Sequence, residues 1–196
     1  MKKHDFLSQF HVSPPMIASQ DFPLRETGRA AAVLVPLLNY TDGLRVLFTQ
    51  RASHLTHHPG QVSFPGGKVE RHDRNLTETA LREAWEEVGL PREQCQIVGS
   101  LPPHHTLTGF HITAVVAIVE PAFSLNIDPN EVHDTFEVPL SFLLNPDNHL
   151  IESVQRGNLA HPVHFILWQE RMIWGATAAL ISQLASIFHD TRQPAS

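Results

Sequence analysis

An α+β fold is predicted for this 196-residue chain on three observations. Short apolar or alternating stretches that suit strands recur along most of its length, whereas helical patterns are few. Apolar residues make up 42% and charged residues 17%, enough for a packed core and too little charge for a disordered chain. No linker cuts the chain in two, so one domain over 29–190 is expected behind an N-terminal helix and extended arm over 1–28.

Residues 4–12 fit a short amphipathic helix with Phe6, Leu7 and Phe10 on one side. Residues 13–28, rich in Pro and polar side chains, read as an arm wrapping the domain. Ala30–Leu38, an apolar run broken only by Pro36, reads as a buried strand. Thr41-Asp42-Gly43 is a turn signal leading into Leu44–Gln50, which completes a hairpin. Residues 51–67 read as an irregular polar segment ending in Phe64-Pro65-Gly66-Gly67. Residues 76–88 carry a helical pattern that Gly89 caps and Pro91 stops. Gln96–Leu101 and Ile112–Glu120 are predicted strands, with a His- and Thr-rich loop from Pro102 to Gly109 between them. A short strand over Phe136–Val138, a helical turn over Pro139–Leu144, a hairpin of Val163–Gln169 and Arg171–Trp174, and a closing helix over Ala176–Phe188 complete the pattern.

Composition excludes several classes. Fourteen Lys and Arg against twenty Asp and Glu give a net charge of −6, the wrong sign for a general nucleic-acid binder. A single cysteine, Cys95, allows no internal disulfide and no thiolate zinc cluster, and it is expected as a small buried hydrophobe. No apolar run approaches the ~18 residues of a membrane span, and the N-terminal lysines lack a following apolar segment, so no signal peptide is expected. A cytoplasmic location fits this composition. The fourteen His are the oddest count. His54, His57 and His58 form a His-x-x-His-His set, but no acid or Cys completes a zinc site around it.

The stretch with chemical content is Leu81-Arg82-Glu83-Ala84-Trp85-Glu86-Glu87-Val88-Gly89-Leu90. At ~100° per residue, Glu83, Glu86 and Glu87 share an arc of about 100° on a helix. Ala80, Leu81, Ala84, Trp85 and Val88 are expected to face the core. Like charges at i,i+4 cost a few tenths of a kcal/mol. A hard divalent cation would relieve that repulsion, and a solvated acidic surface is the bland alternative. Gly66-Gly67 allows a close backbone approach, and its carbonyl could complete a metal site beside the helix. A phosphate loop would instead place backbone N–H groups and a Lys at the helix start, so phosphate here would be reached through metal.

These residues resemble the Nudix hydrolases. The family box runs Gly, five residues, Glu, seven residues, then Arg-Glu-apolar-x-Glu-Glu-x-Gly-apolar. Here Gly67 is followed by five residues, Asp73, eight residues, and Arg82-Glu83-Ala84-Trp85-Glu86-Glu87-Val88-Gly89-Leu90. Asp73 replaces Glu and the second gap is one residue longer. The segment from Leu47 to Gly67 resembles the coenzyme A pyrophosphatase branch, which commonly carries that extra residue. The likeness continues through Leu101-Pro102-Pro103, Thr108-Gly109-Phe110, Glu131-Val132, Phe136-Glu137-Val138-Pro139-Leu140 and Trp174-Gly175-Ala176-Thr177-Ala178, covering residues 29–185. Thr56 stands where that branch often has a basic residue.

The resemblance implies the Nudix fold, a mixed β-sheet sandwiched between α-helices. It implies metal-dependent hydrolysis of the pyrophosphate bond of coenzyme A and its derivatives, giving 3′,5′-ADP and 4′-phosphopantetheine or its acyl form. The alternatives are another nucleoside diphosphate derivative such as ADP-ribose or a dinucleotide, or a non-catalytic sensor. Glu83, Glu86, Glu87 and the Gly67 carbonyl would hold Mg²⁺ or Mn²⁺, and Arg82 would orient the helix acids by pairing with Asp73. An ordinary i,i+4 pair of Arg82 with Glu86 is the simpler alternative. The base would be Glu86, Glu87 or a loop glutamate, for which Glu131 is the candidate. Arg51 and Lys68 flank the box and are candidate phosphate contacts, Arg51 through a guanidinium fork; His54 is a candidate pocket residue. Trp168 and Trp174 read as core or subunit contacts, and the apolar C-terminal region makes a homodimer conceivable. A small-molecule substrate is expected, with neither nucleic acid nor membrane as partner.

Overall fold

Residues 1–12, 19–20, 28–156 and 159–189 are described by the structure, a computed structural model. The elements in chain order begin with α1 (Lys3–Val12), β1 (Ser19–Gln20), β2 (Arg29–Tyr40), β3 (Gly43–Arg51), β4 (Val62–Ser63), β5 (Gly66–Lys68) and α2 (Leu76–Val88). They continue with β6 (Cys95–Ser100), β7 (His104–His105), β8 (Phe110–Val119), β9 (Val132–Pro139), α3 (Leu140–Leu143), β10 (His149–Arg156), β11 (Leu159–Trp168), β12 (Arg171–Trp174) and α4 (Ala176–His189). The expected arm over 13–28 lies outside the described residues, except that the backbone of β1 pairs in parallel with β7 and Gly28 precedes β2.

The apolar run in β2 makes it the central strand, paired in parallel with β8 from Arg29–Phe110 to Leu38–Val119. A tight turn after Tyr40 returns the chain as β3, whose other edge takes β9, while β4 joins the end of β3 and β5 joins the start of β2. Among the described residues these strands, with β6, β7 and β1, form a nine-stranded mixed sheet. A second, antiparallel sheet has the order β10-β11-β12.

Alternation along β2 splits the core. Ala32, Leu34 and Leu38 pack with Ala80, Ala84 and Val88 of α2. Val35 and Leu37 belong to the opposite cluster, with Phe6 of α1, Leu140 of α3 and Leu180 and Leu184 of α4. Helices therefore cover both faces of the sheet, as expected for the α+β sandwich. Phe6 is fully buried, stacked 5.4 Å from both Phe10 and Phe188. Among the described residues no helix is long and apolar enough to cross a membrane.

Several boundaries differ from expectation. The segment 51–67 contains β4 and opens β5, and the His-rich loop contains β7, because two- and three-residue strands carry no periodicity to read. β9 starts at Val132 rather than Phe136, since its first half alternates polar with partly buried side chains. β10 was not anticipated: Leu150, Ile151 and Val154 are all exposed, so its sequence shows no buried alternation. Cys95 is only partly buried; burial raises its thiol pKa to about 11, and Sγ lies 3.5 Å from the Pro91 carbonyl, to which it donates.

Both ends of α2 are chemically capped. The Asn75 side chain accepts the Glu78 N–H at 2.9 Å, and Gly89, at φ 68°, adopts the left-handed cap that its lack of Cβ permits. Asn75→Ala is expected to lower stability by about 1 kcal/mol. A thermal melt should show this as a midpoint lowered by roughly 2–4 °C for a domain of this size.

Candidate active site

Helix α2 buries an arc centred on Ala84, with Ala80, Leu81, Glu87 and Val88 around it. Trp85 lies about 100° from that centre at the helical pitch, and it is 58% exposed, against the expectation that it would face the core. The acidic arc is divided by the same geometry. Glu87 is buried, 3% exposed; Glu83 is largely covered; Glu86 is open to solvent.

Strand β5 lies across the buried side of this arc. A Cβ at Gly67 would come 2.3 Å from Glu83 Oε1, and one at Gly66 would come 2.5 Å from the Ala32 carbonyl. At Gly66 the backbone leaves room for glycine alone, whereas at Gly67 a side chain would displace the Glu83 carboxylate. The Gly66 backbone N–H favours the charged form of the Glu87 carboxylate, whereas Glu87 Oε2 is buried without a partner. Burial, then the charges of Glu83 and Glu131, push the Glu87 carboxyl up to about 8, while Arg51 pulls the other way. Burial also raises Glu83, opposed by Arg82.

Glu131 reaches this group through the turn before β9. That turn docks on the end of α2, where the Asn126 N–H donates to the Val88 carbonyl and the Asp128 N–H to the Glu87 carbonyl, at 2.9 and 3.0 Å. The Ala52 N–H donates to the Glu131 carbonyl at 2.9 Å, and His54 Nε2–H to that of Asn130 at 3.1 Å. His54 thus serves the loop carrying Glu131; Thr56, His57 and His58 are exposed. Arg51 closes β3 at a register shift, and its Nε is buried without a partner.

Arg82 holds both of its expected partnerships at once. Its Nε and Nη2 donate to the two carboxylate oxygens of Asp73, each at 3.0 Å, and its Nη1 donates to Glu83 at 2.9 Å and Glu86 at 3.0 Å. Nη2 also donates to the Lys68 carbonyl at 3.1 Å, tying β5 to the helix. The Arg82 guanidinium holds the Asp73 carboxyl well below the usual carboxylate range, with help from the Glu70 N–H and the Thr79 hydroxyl.

The acids and Gly67 offer hard oxygen donors, and the lone Glu87 oxygen is a buried acceptor lacking a positive partner, so this group fits a divalent cation. Among the described residues no three His, Cys, Asp or Glu side chains stand close enough together to hold a metal ion as they are; Arg82 pairs with Glu86 and with one oxygen of Glu83.

Lys68 is placed differently from the other candidates. It pairs with Ala31 on the sheet face away from α2, and its ammonium lies 5.9 Å from the Phe110 ring centroid. Arg29, not singled out in the sequence, sits over the same ring at 4.3 Å. The Gly66 N–H and the Asn126–Asp128 clasp were also missed. The doubled glycine was the one available signal for the first; a backbone contact leaves none for the second.

A family model of the NUDIX domain matches residues 28–155. The chain belongs to the Nudix family. It is similar to "Uncharacterized Nudix hydrolase NudL" from Enterobacter sp. (strain 638), 42% identical over 181 residues that span 92% of each chain. The like-named protein of Photorhabdus laumondii is 38% identical over 92% of this chain and 95% of its own. Two crystal structures share the fold. The Nudix hydrolase RenU of M. smegmatis aligns with a TM-score of 0.58 at 17% identity, covering 92% of this chain and 98% of that one. The MutT protein of Methanosarcina mazei Go1 aligns at 0.54 and 19%, covering 87% and 100%. As a Nudix hydrolase, the chain is a pyrophosphohydrolase of small molecules, in a family that generally needs divalent metal ions.

Proposed function

We propose that this Nudix hydrolase cleaves the diphosphate of coenzyme A and its derivatives, releasing 3′,5′-ADP and 4′-phosphopantetheine or its acyl form. The observation that carries this choice is the meeting of two distant segments that resemble the coenzyme A branch. The Thr177 hydroxyl, in Trp174-Gly175-Ala176-Thr177-Ala178, donates to the Val62 carbonyl at 3.2 Å, inside the Leu47–Gly67 segment that carries Arg51 and Gly67.

Glu83, Glu86, Glu87 and the Gly67 carbonyl would hold Mg²⁺ or Mn²⁺. Such an ion, when bound, neutralises charge on phosphoryl oxygens and acidifies water. Glu131 takes the proton from the attacking water, which its loop brings beside Glu83 and Glu87; Glu86 and Glu87 are the alternative bases. Arg51 holds a phosphate through its guanidinium, satisfying a buried Nε that the protein itself leaves unpartnered. Arg82 positions the acids rather than touching substrate. Water adds to one phosphorus as the bridging P–O bond breaks, and the leaving phosphate carries the second product away.

Product analysis tests the assignment. Protein incubated with coenzyme A and either ion is expected to release 3′,5′-ADP, faster than it cleaves ADP-ribose or a dinucleotide. Intact coenzyme A with both ions, beside turnover of ADP-ribose, would replace it with the alternative substrate.

A further inference from the structure

Among the described residues, Lys3, Arg45, Arg74, Arg82, Arg92 and Arg171 each pair with a carboxylate. Arg29 and Lys68 pair with none among the described residues, in a chain whose Asp and Glu outnumber its Lys and Arg by twenty to fourteen. Both are exposed, and both stand over one ring. The Arg29 guanidinium carbon lies 4.3 Å and the Lys68 ammonium 5.9 Å from the Phe110 centroid. The strand register explains the meeting. Arg29 is opposite Phe110 across β2 and β8, and Lys68 is opposite Ala31 across β5 and β2, so all three share the sheet face away from α2. The negative face of the ring attracts each cation. Two cations gathered without an acid still repel one another, and a bound anion would relieve that.

This corner is joined to the candidate active site by direct contacts. Lys68 follows Gly67, whose backbone lies against the Glu83 carboxylate. The Lys68 carbonyl accepts from Arg82 Nη2 at 3.1 Å, and the same guanidinium donates to Glu83 and Glu86. Among the described strands β5 pairs with β2 alone, so its other edge takes no strand that would separate the two faces. The acids lie on one face and the two cations on the other, offset by one strand residue, about 3.3 Å.

We propose that Arg29 and Lys68 form a second phosphate subsite, which takes a phosphate monoester carried on the ribose beside the substrate's diphosphate. This deepens, and rests on, the coenzyme A assignment, since the 3′-phosphate of coenzyme A is such a group. Charge selects the monoester. It approaches a double negative charge near neutral pH, which one guanidinium and one ammonium match. The diphosphate already has Arg51 and a divalent ion assigned to it. Scale agrees as well. The 3′- and 5′-oxygens belong to one ribose, so the monoester must lie within a sugar's width of the diphosphate, just as Lys68 adjoins Gly67. Arg29 supplies the fork that grips phosphate oxygens, Lys68 adds a point charge, and the Phe110 ring sets where both stand.

Calorimetric titration with 3′,5′-ADP and 5′-AMP in the presence of Mg²⁺ tests the subsite apart from turnover, because neither nucleotide has a diphosphate to cleave. Wild type is expected to bind 3′,5′-ADP at least about tenfold more tightly than 5′-AMP, the effect of one charge-assisted contact. Arg29→Gln should lose most of that preference and Arg29→Lys keep part of it. The ratio of kcat/KM for coenzyme A over 3′-dephospho-coenzyme A should likewise fall about tenfold in Arg29→Gln. Equal affinity of wild type for the two nucleotides, or a ratio unchanged in folded Arg29→Gln, whether or not both rates fall, would overturn the proposal. If the preference for 3′,5′-ADP depends on Arg29 as expected and coenzyme A is not cleaved, the subsite stands and the coenzyme A assignment alone falls.

Discussion

Replacing Glu87 by Gln is expected to lower kcat by roughly 10²–10⁴-fold, the range for losing a group central to the chemical step. The side chain is buried beside β5, with Oε2 bare. Glutamine has the same shape and carries no charge to bury, so the melting curve should stay close to wild type. What disappears is a carboxyl that, beside Glu83 and Glu131, can give up its proton to a divalent ion, which an amide cannot do. Steady-state rates with saturating Mg²⁺ or Mn²⁺, read beside thermal melts, separate the two effects. A wild-type rate in folded Glu87→Gln would remove the residue from the site.

Asp73→Ala should act on both stability and activity. It leaves the Arg82 guanidinium, mostly covered, without its two-pronged partner, and leaves the Thr79 hydroxyl and Glu70 N–H without their acceptor. Loss of stability is expected at roughly 2–4 kcal/mol, by the cost of breaking a covered, hydrogen-bonded charge pair. Activity should fall as well, since Arg82 sets Glu83 and Glu86 and anchors the Lys68 carbonyl. The pH dependence has a definite sign. Folding lowers the Asp73 carboxyl below its ordinary value, so the pair stabilises fully above about pH 4 and loses its contribution as pH falls further. Urea unfolding should therefore show the gap between wild type and variant constant from pH 7 to 5 and narrowing toward pH 3. A gap that widens in acid would contradict the pair.

Legibility in the sequence followed the physics of each element. Helix α2 was readable to the residue because 3.6-residue periodicity, Gly89 and Pro91 all act locally. β2, β3 and α4 were readable because long apolar runs must be buried. The box spacing brought Gly67, Asp73, Arg82 and the three helix glutamates into view, and the structure has Asp73 and Arg82 in contact and Gly67 against Glu83. What could not be read depends on the partner strand. A helical wheel places Trp85 beside the apolar residues but does not say where the sheet centres, and it centres on Ala84. Chain adjacency set Lys68 next to Gly67, yet strand alternation turns the two to opposite faces. The short strands β4 and β7 exist only through their neighbours. Of the fourteen His, His54 joins the Glu131 loop and His104 is buried in β7, while the count itself still has no physical account.

On the proposed function, the divided acidic face of α2, beside Gly66-Gly67, would hold a divalent ion. Titrating Mn²⁺ into wild type and Glu87→Gln, with free ion read by electron paramagnetic resonance, tests it most directly. Wild type should take up Mn²⁺ with an affinity that the variant loses by at least about tenfold, a typical cost of disturbing a metal site. Superimposable isotherms, from two proteins with matching melts, would contradict it.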